Sequence, residues 1–410
     1  MTRQSFDRSI AVAFLGFIVL GLPDGLLGLA WPSIQAQFNL PAAALGSFFV
    51  AGTIGFVTVS LFSGALSRRF GIRHLLIGAY SLRGTAMVLV FFAPSWEIIV
   101  LLGFIAGLGD GGIDTGLNLY VAGYDNPRLM NYLHAFFGLG AAFGPLLMVG
   151  LFSIGLSWTF GFLIVGMVKA LMVVLLLFVR LHDVSITQPH GGEPAASLVG
   201  SMRVPMVWMG VFAFFIATGL EMNAGQWSYT LFTQGRGTDP TTAGIWISLY
   251  RAMFTVGRFF FGFIGDRGSI VLQMRGSLTL AVLASILVWS NISQTISAVG
   301  LILMGLAIAP QFPLLMAGTV RRVGLRHAAN AIGLQMGGAS LGVGVFPGLT
   351  GWLVQLNENA VMPLLKAPFP FDQPALRFNP ALETVALVFV VMSVALFIVY
   401  ELMTLAIRRN

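Results

Sequence analysis

The 410-residue sequence has no cysteine, which excludes disulfides, thiolate metal sites and thiol chemistry. It also has few charges, since Asp, Glu, Lys and Arg together make up 9% of the residues. Soluble domains carry about 25%. Apolar residues instead make up 57% of the chain. This balance lies far outside the soluble range and predicts an integral membrane protein.

The common enzyme motifs are also missing. The sequence has no Ser/His/Asp pattern, no His-Glu-x-x-His zinc motif and no cofactor fingerprint, so we expect neither an enzyme nor a cofactor. It contains no Gly-Lys-Ser or Gly-Lys-Thr, and therefore no Walker loop, so an ion gradient must drive any accumulation of a substrate. The net charge of +7 comes from arginines spread among short loops, which fits membrane topology better than nucleic-acid binding.

Twelve apolar runs, each about long enough to cross a bilayer as a helix, follow one another along the chain. The predicted spans are 9–31, 42–66, 74–93, 97–119, 131–153, 158–180, 205–232, 241–264, 275–293, 296–318, 328–354 and 381–406. The first run is too long for a signal-peptide core and lacks a small-residue cleavage pattern, so we expect it to be retained. With both termini cytoplasmic, fifteen basic residues lie in inner loops and tails and three in outer loops. This positive-inside bias predicts that orientation in the plasma (inner) membrane.

A polar segment, 181–204, separates six spans from six and predicts a cytoplasmic linker between bundles at 1–180 and 205–410. The two halves also match at an offset of 198 residues. The matches are Gly21-Leu22 with Gly219-Leu220, Gly64 with Gly262, and 140–144 with 338–342. The predicted fold is therefore an all-α membrane protein with twelve transmembrane helices in two pseudo-symmetric six-helix bundles. Transporters place a midplane site between such repeats.

Two loop patterns carry a family resemblance. The run 257–267 resembles the loop 8–9 signature of the major facilitator superfamily, and 64–73 resembles its loop 2–3 signature, with an arginine at the acidic position. The resemblance covers the whole chain and implies the major facilitator fold. It implies gating roles for Arg68, Arg69, Arg258, Asp266 and Arg267.

Three further patches resemble the fucose–proton symporters and the sodium-dependent glucose transporter-like group. Residues 114–118 resemble their acidic-Thr-x-x-Asn motif, 131–140 carry Leu-His and Phe-Gly-Leu-Gly, and 219–227 resemble their Gly-x-Glu…Gly-x-Trp run. This resemblance implies sugar uptake driven by an ion gradient.

Four carboxylates lie inside apolar runs, where a charge costs about 2.5–3.5 kcal/mol on insertion scales. They are Asp24, Asp110, Asp114 and Glu221. Such residues normally face a watery cavity, so we predict ion-coupling roles for all four. At Asp24, the preceding proline removes a backbone hydrogen bond and should leave an unwound turn that can coordinate an ion or a hydroxyl. The alternative there is a kinked helix with a solvated carboxylate.

Asp110, Asp114 and Asn118 are spaced four residues apart and so share a face of span 4. Like charges one turn apart disfavour joint ionisation, which suits a site that takes up and releases a proton. The structural alternative is that one aspartate pairs with Arg83 or another buried arginine.

Span 7 carries Glu221, Asn223, Gln226 and Trp227 within two turns. Carboxylates and amides can form paired hydrogen bonds with sugar hydroxyls, and an aromatic ring can cover the C–H face of a pyranose. We therefore predict substrate contacts for Asn223, Gln226 and Trp227. A lone tryptophan is more often a packing residue or an interface anchor. No fixed ligand cage for a metal ion is evident.

Other polar residues in the spans are further candidates for substrate contact. They are Asn118, His134, Gln311, Gln335 and Arg251. Interhelical hydrogen bonding explains the two glutamines equally well, and a buried hydrogen bond explains His134. Arg251 could bind an anionic substrate or hold a carboxylate. Arg83 and Lys169 lie on spans that face outward in the implied fold, and we interpret them as structural or snorkelling residues.

These features predict a symporter that alternates between outward- and inward-facing states by rocking its two bundles. The cargo would be a neutral sugar or polyol, coupled to a proton at Asp114 with Asp24 or Glu221 assisting; sodium is the main rival ion. The alternatives are a multidrug or amphiphile exporter, favoured by 35 Phe and 18 Met, and a passive channel or receptor. We expect a monomer in the bilayer with no nucleic-acid partner. The stretch 355–379 is a candidate cap over the outer mouth.

Overall fold

The computed structural model describes residues 8–122, 127–179, 196–264, 269–360 and 380–409. These residues form helices joined by short turns, so the predicted all-α class is confirmed. The chain forms two compact units. Unit 1 comprises Met1–Asn39 and Ser47–Pro189, and unit 2 comprises Leu40–Gly46 and His190–Asn410. Most of the predicted linker, at 180–195, and of the candidate cap, at 361–379, lies outside the described residues.

The helices of the first half, most of them in unit 1, are bounded by glycine and proline where the backbone must turn. Gly71, with φ of 78°, separates two of them in a conformation that L side chains rarely adopt. The helices are α1 (Arg8–Gly21), α2 (Leu26–Phe38), α3 (Leu45–Phe70), α4 (Ile72–Val90), α5 (Trp96–Ala122), α6 (Pro127–Ser153) and α7 (Thr159–Phe178).

The helices of unit 2 range from 5 to 36 residues, and two of them begin at a proline, whose missing N–H costs nothing at a helix start. A 3₁₀ turn, Ala42–Ala44, packs against its longest helix. The helices are α8 (Leu198–Met202), α9 (Pro205–Thr230, extended by a π-helical turn Leu231–Gly235), α10 (Pro240–Ile264), α11 (Ile270–Ser290), α12 (Gln294–Ile308), α13 (Gln311–Ala317), α14 (Thr319–Val323), α15 (Leu325–Ala360) and α16 (Glu383–Arg409).

Ten helical stretches among the described residues are long and apolar enough to cross a membrane. The predicted spans 74–93 and 241–264 are not among the ten, but both are helical, as α4 and α10. Their 19 and 25 residues extend about 28 and 38 Å, enough for a hydrocarbon core of about 30 Å. Each carries arginines in its sequence, which lowers its mean hydropathy without shortening it.

Glycines let the helices of unit 1 approach closely. A Cβ atom on Gly107 of α5 would overlap the carbonyl oxygen of Gly52 on α3, and one on Gly111 would overlap that of Phe56. Another face of α5 packs on α4, where a Cβ on Gly112 would lie 2.8 Å from the Ala79 side chain. Such contacts are the main source of helix association in lipid, where apolar side chains gain little by leaving the tails.

The predicted repeat is visible in two helix pairs of each unit, and one of them keeps the predicted register. Gly107 of α5 lies against the carbonyl oxygen of Gly52 on α3, and Gly305 of α12 lies against that of Tyr250 on α10, so both partners match at the offset of 198. The register differs in the second pair. Gly140 of α6 lies against the carbonyl oxygen of Ile18 on α1, and Gly338 of α15 lies against that of Val211 on α9. The glycines match at the predicted offset of 198, whereas their partners are 193 residues apart. The alignment of 21–22 with 219–220 is therefore shifted by five residues relative to the contacts of this helix pair.

Candidate functional site

Span 1 consists of two helices separated by a tight turn. In this turn Asp24 N–H donates to Gly21 O at 2.9 Å, and Leu26 N–H donates to Pro23 O at 3.1 Å. Gly25 adopts the left-handed conformation, with φ of 81°. The unwound turn predicted at Asp24 is therefore confirmed, and the half-buried Asp24 lies in it. Its coupling role stays a prediction.

Span 10 has a second break, which the sequence analysis took as a continuous helix. α12 ends at Ile308, α13 begins at Gln311, and Pro310 lies between them. The Gln311 side chain is 1% exposed. Neither its Nε2 nor its Oε1 has a hydrogen-bond partner among the described residues. The break therefore presents a buried amide with one donor group and one acceptor group unsatisfied.

The polar face of α5 is split between two environments. Four residues advance a helix by about 400°, so each step from Asp110 to Asp114 to Asn118 turns the side chain by about 40°. Asp110 Oδ1 lies 3.1 Å from Arg83 Nε on α4. Asp114 Oδ1 instead accepts a hydrogen bond from Asn118 Nδ2 on its own helix at 3.1 Å. The three residues expected to share one face therefore divide into Asp110, which pairs with α4, and the Asp114–Asn118 pair within α5.

The ion pair with Arg83 matches the structural alternative for Asp110. The two side chains are 13% and 28% exposed, and α5 meets α4 closely beside them, since a Cβ on Gly109 would lie 2.7 Å from the Arg83 Cβ. Asp114 and Asn118 are half-buried, and the Asn118 amide also donates to the Asp114 carbonyl oxygen at 2.9 Å. Asp114 is therefore the better placed of the two aspartates to exchange a proton.

Two of the span 7 candidates lie inside unit 2. Asn223 Nδ2 donates to Thr350 Oγ1 at 2.8 Å, and Trp227 Nε1 donates to the Pro347 carbonyl oxygen at 3.0 Å. Both acceptors are on α15, and both donor residues are 0% exposed. The Trp227 contact matches the packing alternative, and the structure gives no support to its predicted sugar contact. The buried Asn223 Oδ1 has no hydrogen-bond partner among the described residues, so Asn223 stays a candidate for contact with a polar ligand.

The remaining span 7 candidates are differently placed. Gln226 is 3% exposed, and its Oε1 has no hydrogen-bond partner among the described residues. Glu221 is half-buried, and its carbonyl oxygen accepts a hydrogen bond from the Tyr250 hydroxyl at 3.1 Å. Both stay candidates for contact with a polar ligand.

The structure does not bring Gln226 and Gln311 together. Phe312, next to Gln311, packs edge-on against Phe214 of α9, with ring centroids 5.1 Å apart. Gln226 lies twelve residues further along α9, which is about 18 Å at 1.5 Å per residue. The two amides are therefore far apart along the α9 axis.

Gln335 shows the interhelical alternative. Its Oε1 accepts a hydrogen bond from the Thr319 hydroxyl at 2.9 Å, and its amide nitrogen lies against Gly210 of α9. The residue is 1% exposed. Its amide therefore joins three helices of unit 2, and we no longer favour it as a substrate contact.

His134 and Arg251 are packed against helix neighbours. The His134 ring lies edge-on to Phe17 of α1, with centroids 5.6 Å apart. Arg251 is 2% exposed, and its guanidinium covers Gly225 of α9, where any Cβ atom would overlap it. Glycine at 225 thus leaves room for the guanidinium, and a larger residue there would displace it.

The predicted gating residues are only partly described. Arg258 lies over the Phe254 ring at 4.4 Å, and the exposed Arg69 lies over Phe70 at 5.4 Å. Arg68 belongs to α3, but its side chain is not described. Asp266 and Arg267 lie outside the described residues, so their gating roles stay predictions.

Two buried cations were missed as contacts by the sequence analysis. Lys169 is 0% exposed, which matches the structural alternative and not the snorkelling one; its Nζ donates to the Val19 carbonyl oxygen at 3.0 Å. Arg236, expected in an outer loop, forms a buried ion pair with Glu383 at 2.7 Å. In the sequence, these two residues stand out only as a charge within an apolar run and a charge in a short loop. Neither pattern shows which residue the charge contacts.

Known proteins share both sequence and fold with this chain. The sequence profile of the Major Facilitator Superfamily matches residues 13–347. The chain belongs to the major facilitator superfamily. The glucose/mannose transporter GlcP of Bacillus subtilis is 22% identical to this transporter over 357 residues, covering 84% of this chain and 87% of GlcP.

Solved structures agree on the fold. A bacterial homologue of the human lysosomal transporter Spinster, inward-facing and occupied, superposes with a TM-score of 0.77 at 14% identity over 98% of both chains. A single-residue variant of the E. coli fucose:proton symporter FucP superposes with a TM-score of 0.60 at 15% identity, covering 98% of this chain and 99% of FucP. These likenesses show the fold alone. Together with the family match, they make the protein an integral multi-pass secondary transporter of a small molecule, not an enzyme.

Proposed function

We propose that this transporter is a symporter that takes up a neutral sugar or polyol together with a proton. The observation that carries the proposal is the Gln311 amide, buried at the break in span 10 with no partner among the described residues for either polar atom. GlcP, whose name describes a glucose/mannose transporter, supports the same substrate class. The plasma (inner) membrane, with both termini cytoplasmic, is the setting that the positive-inside bias predicts.

An unpartnered buried amide selects for a hydroxyl-bearing ligand. Leaving a buried donor or acceptor unsatisfied costs about 1–3 kcal/mol per group. A sugar hydroxyl can both donate and accept, so one or two hydroxyls could give both the Oε1 and the Nε2 of Gln311 a hydrogen-bond partner. An ionised substrate at the same place would need a compensating charge, which a neutral amide does not supply.

Proton coupling is assigned to Asp114 on the chemistry of its neighbour. Asn118 turns its Nδ2 donor, not its oxygen, toward the Asp114 carboxylate. Hard cations such as sodium are held by oxygen ligands, and the amide nitrogen supplies none, so this pair offers a metal ion no oxygen beyond the carboxylate itself. A carboxylate in a membrane span can also lower its cost of burial by taking up a proton. The proposed cycle therefore loads a proton on Asp114 and releases it on the other side.

The test uses purified transporter in proteoliposomes with radiolabelled glucose and mannose. A pH gradient, acid outside, should drive accumulation, and a sodium gradient at constant pH should not. Asp114→Asn should abolish gradient-driven accumulation but retain sugar exchange between the two sides. Glu401→Gln is the matched control, because Glu401 is also a helix carboxylate but is paired with Arg275. Accumulation by Asp114→Asn at the wild-type level, or accumulation driven by sodium alone, would refute the proton assignment.

A further inference from the structure

One carbonyl oxygen at the end of α1 cannot have its usual backbone partner. Each helix carbonyl accepts from the N–H four residues later, and the last four of a helix need other donors. Val19 is among the last four residues of α1, and the residue four positions later is Pro23, which has no N–H. Lys169 Nζ lies 3.0 Å from this oxygen, on a side chain that is 0% exposed. A lysine from another helix thus caps α1.

Two glycines make this reach possible. A Cβ on Gly84 of α4 would lie 3.3 Å from the Gly166 carbonyl oxygen and 3.3 Å from the Lys169 Cβ. A Cβ on Gly166 of α7 would lie 3.1 Å from the Gly84 carbonyl oxygen. The two backbones therefore lie almost in contact, which brings the base of Lys169 into the interior of unit 1.

The buried ammonium group has several compensating neighbours. It lies 5.8 Å above the Tyr80 ring, whose hydroxyl donates to the Gly16 carbonyl oxygen of α1 at 2.8 Å. The Asp110 carboxylate attracts it, and Arg83, the ion-pair partner of Asp110, repels it. The C-terminal end of α1 also carries the negative pole of the helix dipole, which favours a cation. The last turns of α1 are thus held from α4 and α7 together.

We propose that Lys169 is a positioning residue for the break in span 1, with its ammonium group in place of the bound cation that a half-helix end can coordinate. In carriers with discontinuous helices, such C-terminal ends coordinate the coupling cation. Here Lys169 holds Val19 one turn before Asp24 and keeps the turn open. The consequence for transport rests on the proposed function; the capping itself does not.

The capping is tested by a double-mutant cycle in thermal unfolding. Lys169→Met should lower Tm by roughly 3–6 °C, the effect of losing a buried charged hydrogen bond. Pro23→Ala supplies a backbone N–H for the Val19 oxygen, so Lys169→Met should cost clearly less in that background. Tyr80→Phe is the control, because it removes a bond to a different carbonyl and should cost the same in both backgrounds. Equal effects of Lys169→Met in both backgrounds, or none, would overturn the proposal. So would failure of the Pro23→Ala, Lys169→Met protein to fold.

The positioning role is tested by transport in proteoliposomes. Lys169→Met should lower the maximal rate about tenfold, equivalent to about 1.4 kcal/mol on the barrier, with the sugar KM little changed. Lys169→Arg keeps the charge and should retain most of the rate. The double variant Pro23→Ala, Lys169→Met should regain stability but not rate, because span 1 becomes continuous. Recovery of both would reduce Lys169 to a stabilising residue. If the wild type takes up neither glucose nor mannose, the sugar proposal fails, and the unfolding cycle still decides the capping.

Discussion

The ion pair at the start of α16 offers a sharp test of how burial sets the strength of a charge pair. Arg236 Nε and Nη2 donate to the two Glu383 carboxylate oxygens at 2.8 and 2.7 Å, and Nη2 also donates to the Val288 carbonyl oxygen at 2.7 Å. The side chains of the pair are 1% and 2% exposed. Glu383→Gln keeps the shape of the side chain but leaves the guanidinium buried without its counter-charge.

The expected cost follows from that burial. Removing one partner of a buried ion pair costs about 3–5 kcal/mol, because the other charge stays desolvated. Arg236 would keep its bond to Val288 and its position over the Phe232 ring, 5.5 Å from the centroid, so we expect the lower end, about 3 kcal/mol. At about 2–4 °C per kcal/mol for units of this size, Tm should fall by roughly 6–12 °C.

The assay is thermal unfolding of the purified protein in detergent, with a second ion pair as the matched control. Arg275 and Glu401 form the same two-bond geometry, at 2.7 and 2.6 Å, but their side chains are 38% and 25% exposed. Glu401→Gln should lower Tm much less, since exposed pairs contribute little. Replacing Arg236 and Glu383 together by methionine should recover much of the loss. Equal falls for the two glutamine variants, or no recovery in the double variant, would refute the reasoning.

Two further predictions concern the buried amides and the helix contacts. Gln311→Leu removes two unsatisfied buried polar groups, so it should raise Tm, and it should raise the KM for glucose about tenfold. Gln335→Leu should instead lower Tm by leaving a threonine hydroxyl unpaired, at a cost of about 1–3 kcal/mol. The reverse pattern would contradict the assignment of Gln311 to the substrate. Gly107→Ala should reduce the yield of monodisperse protein, because its Cβ atom would overlap a carbonyl oxygen of α3. Gly78→Ala is its control, with no atom within 4 Å of the added Cβ, and equal yields would show that the α3–α5 contact tolerates a methyl group.

The sequence by itself determined the class, most of the spans and the first helix break. Composition distinguishes a membrane protein from a soluble one, and the length of an apolar run decides whether it can cross a bilayer as a helix. The break at Pro23 follows from the covalent structure of proline, which has no N–H to donate. Pro310 lies at the second break and has no N–H for the same reason, but the sequence analysis did not predict that break.

Only the tertiary structure decided what each buried polar group touches. The four-residue spacing placed Asp110 and Asp114 on one helix face, yet a turn of about 40° and the position of α4 gave one of them Arg83 and left the other to its own helix. Lys169 caps a carbonyl 150 residues away, and Arg236 meets a carboxylate 147 residues away. Hydropathy and helix period act along the chain, whereas the partner of a buried charge depends on which helices become neighbours.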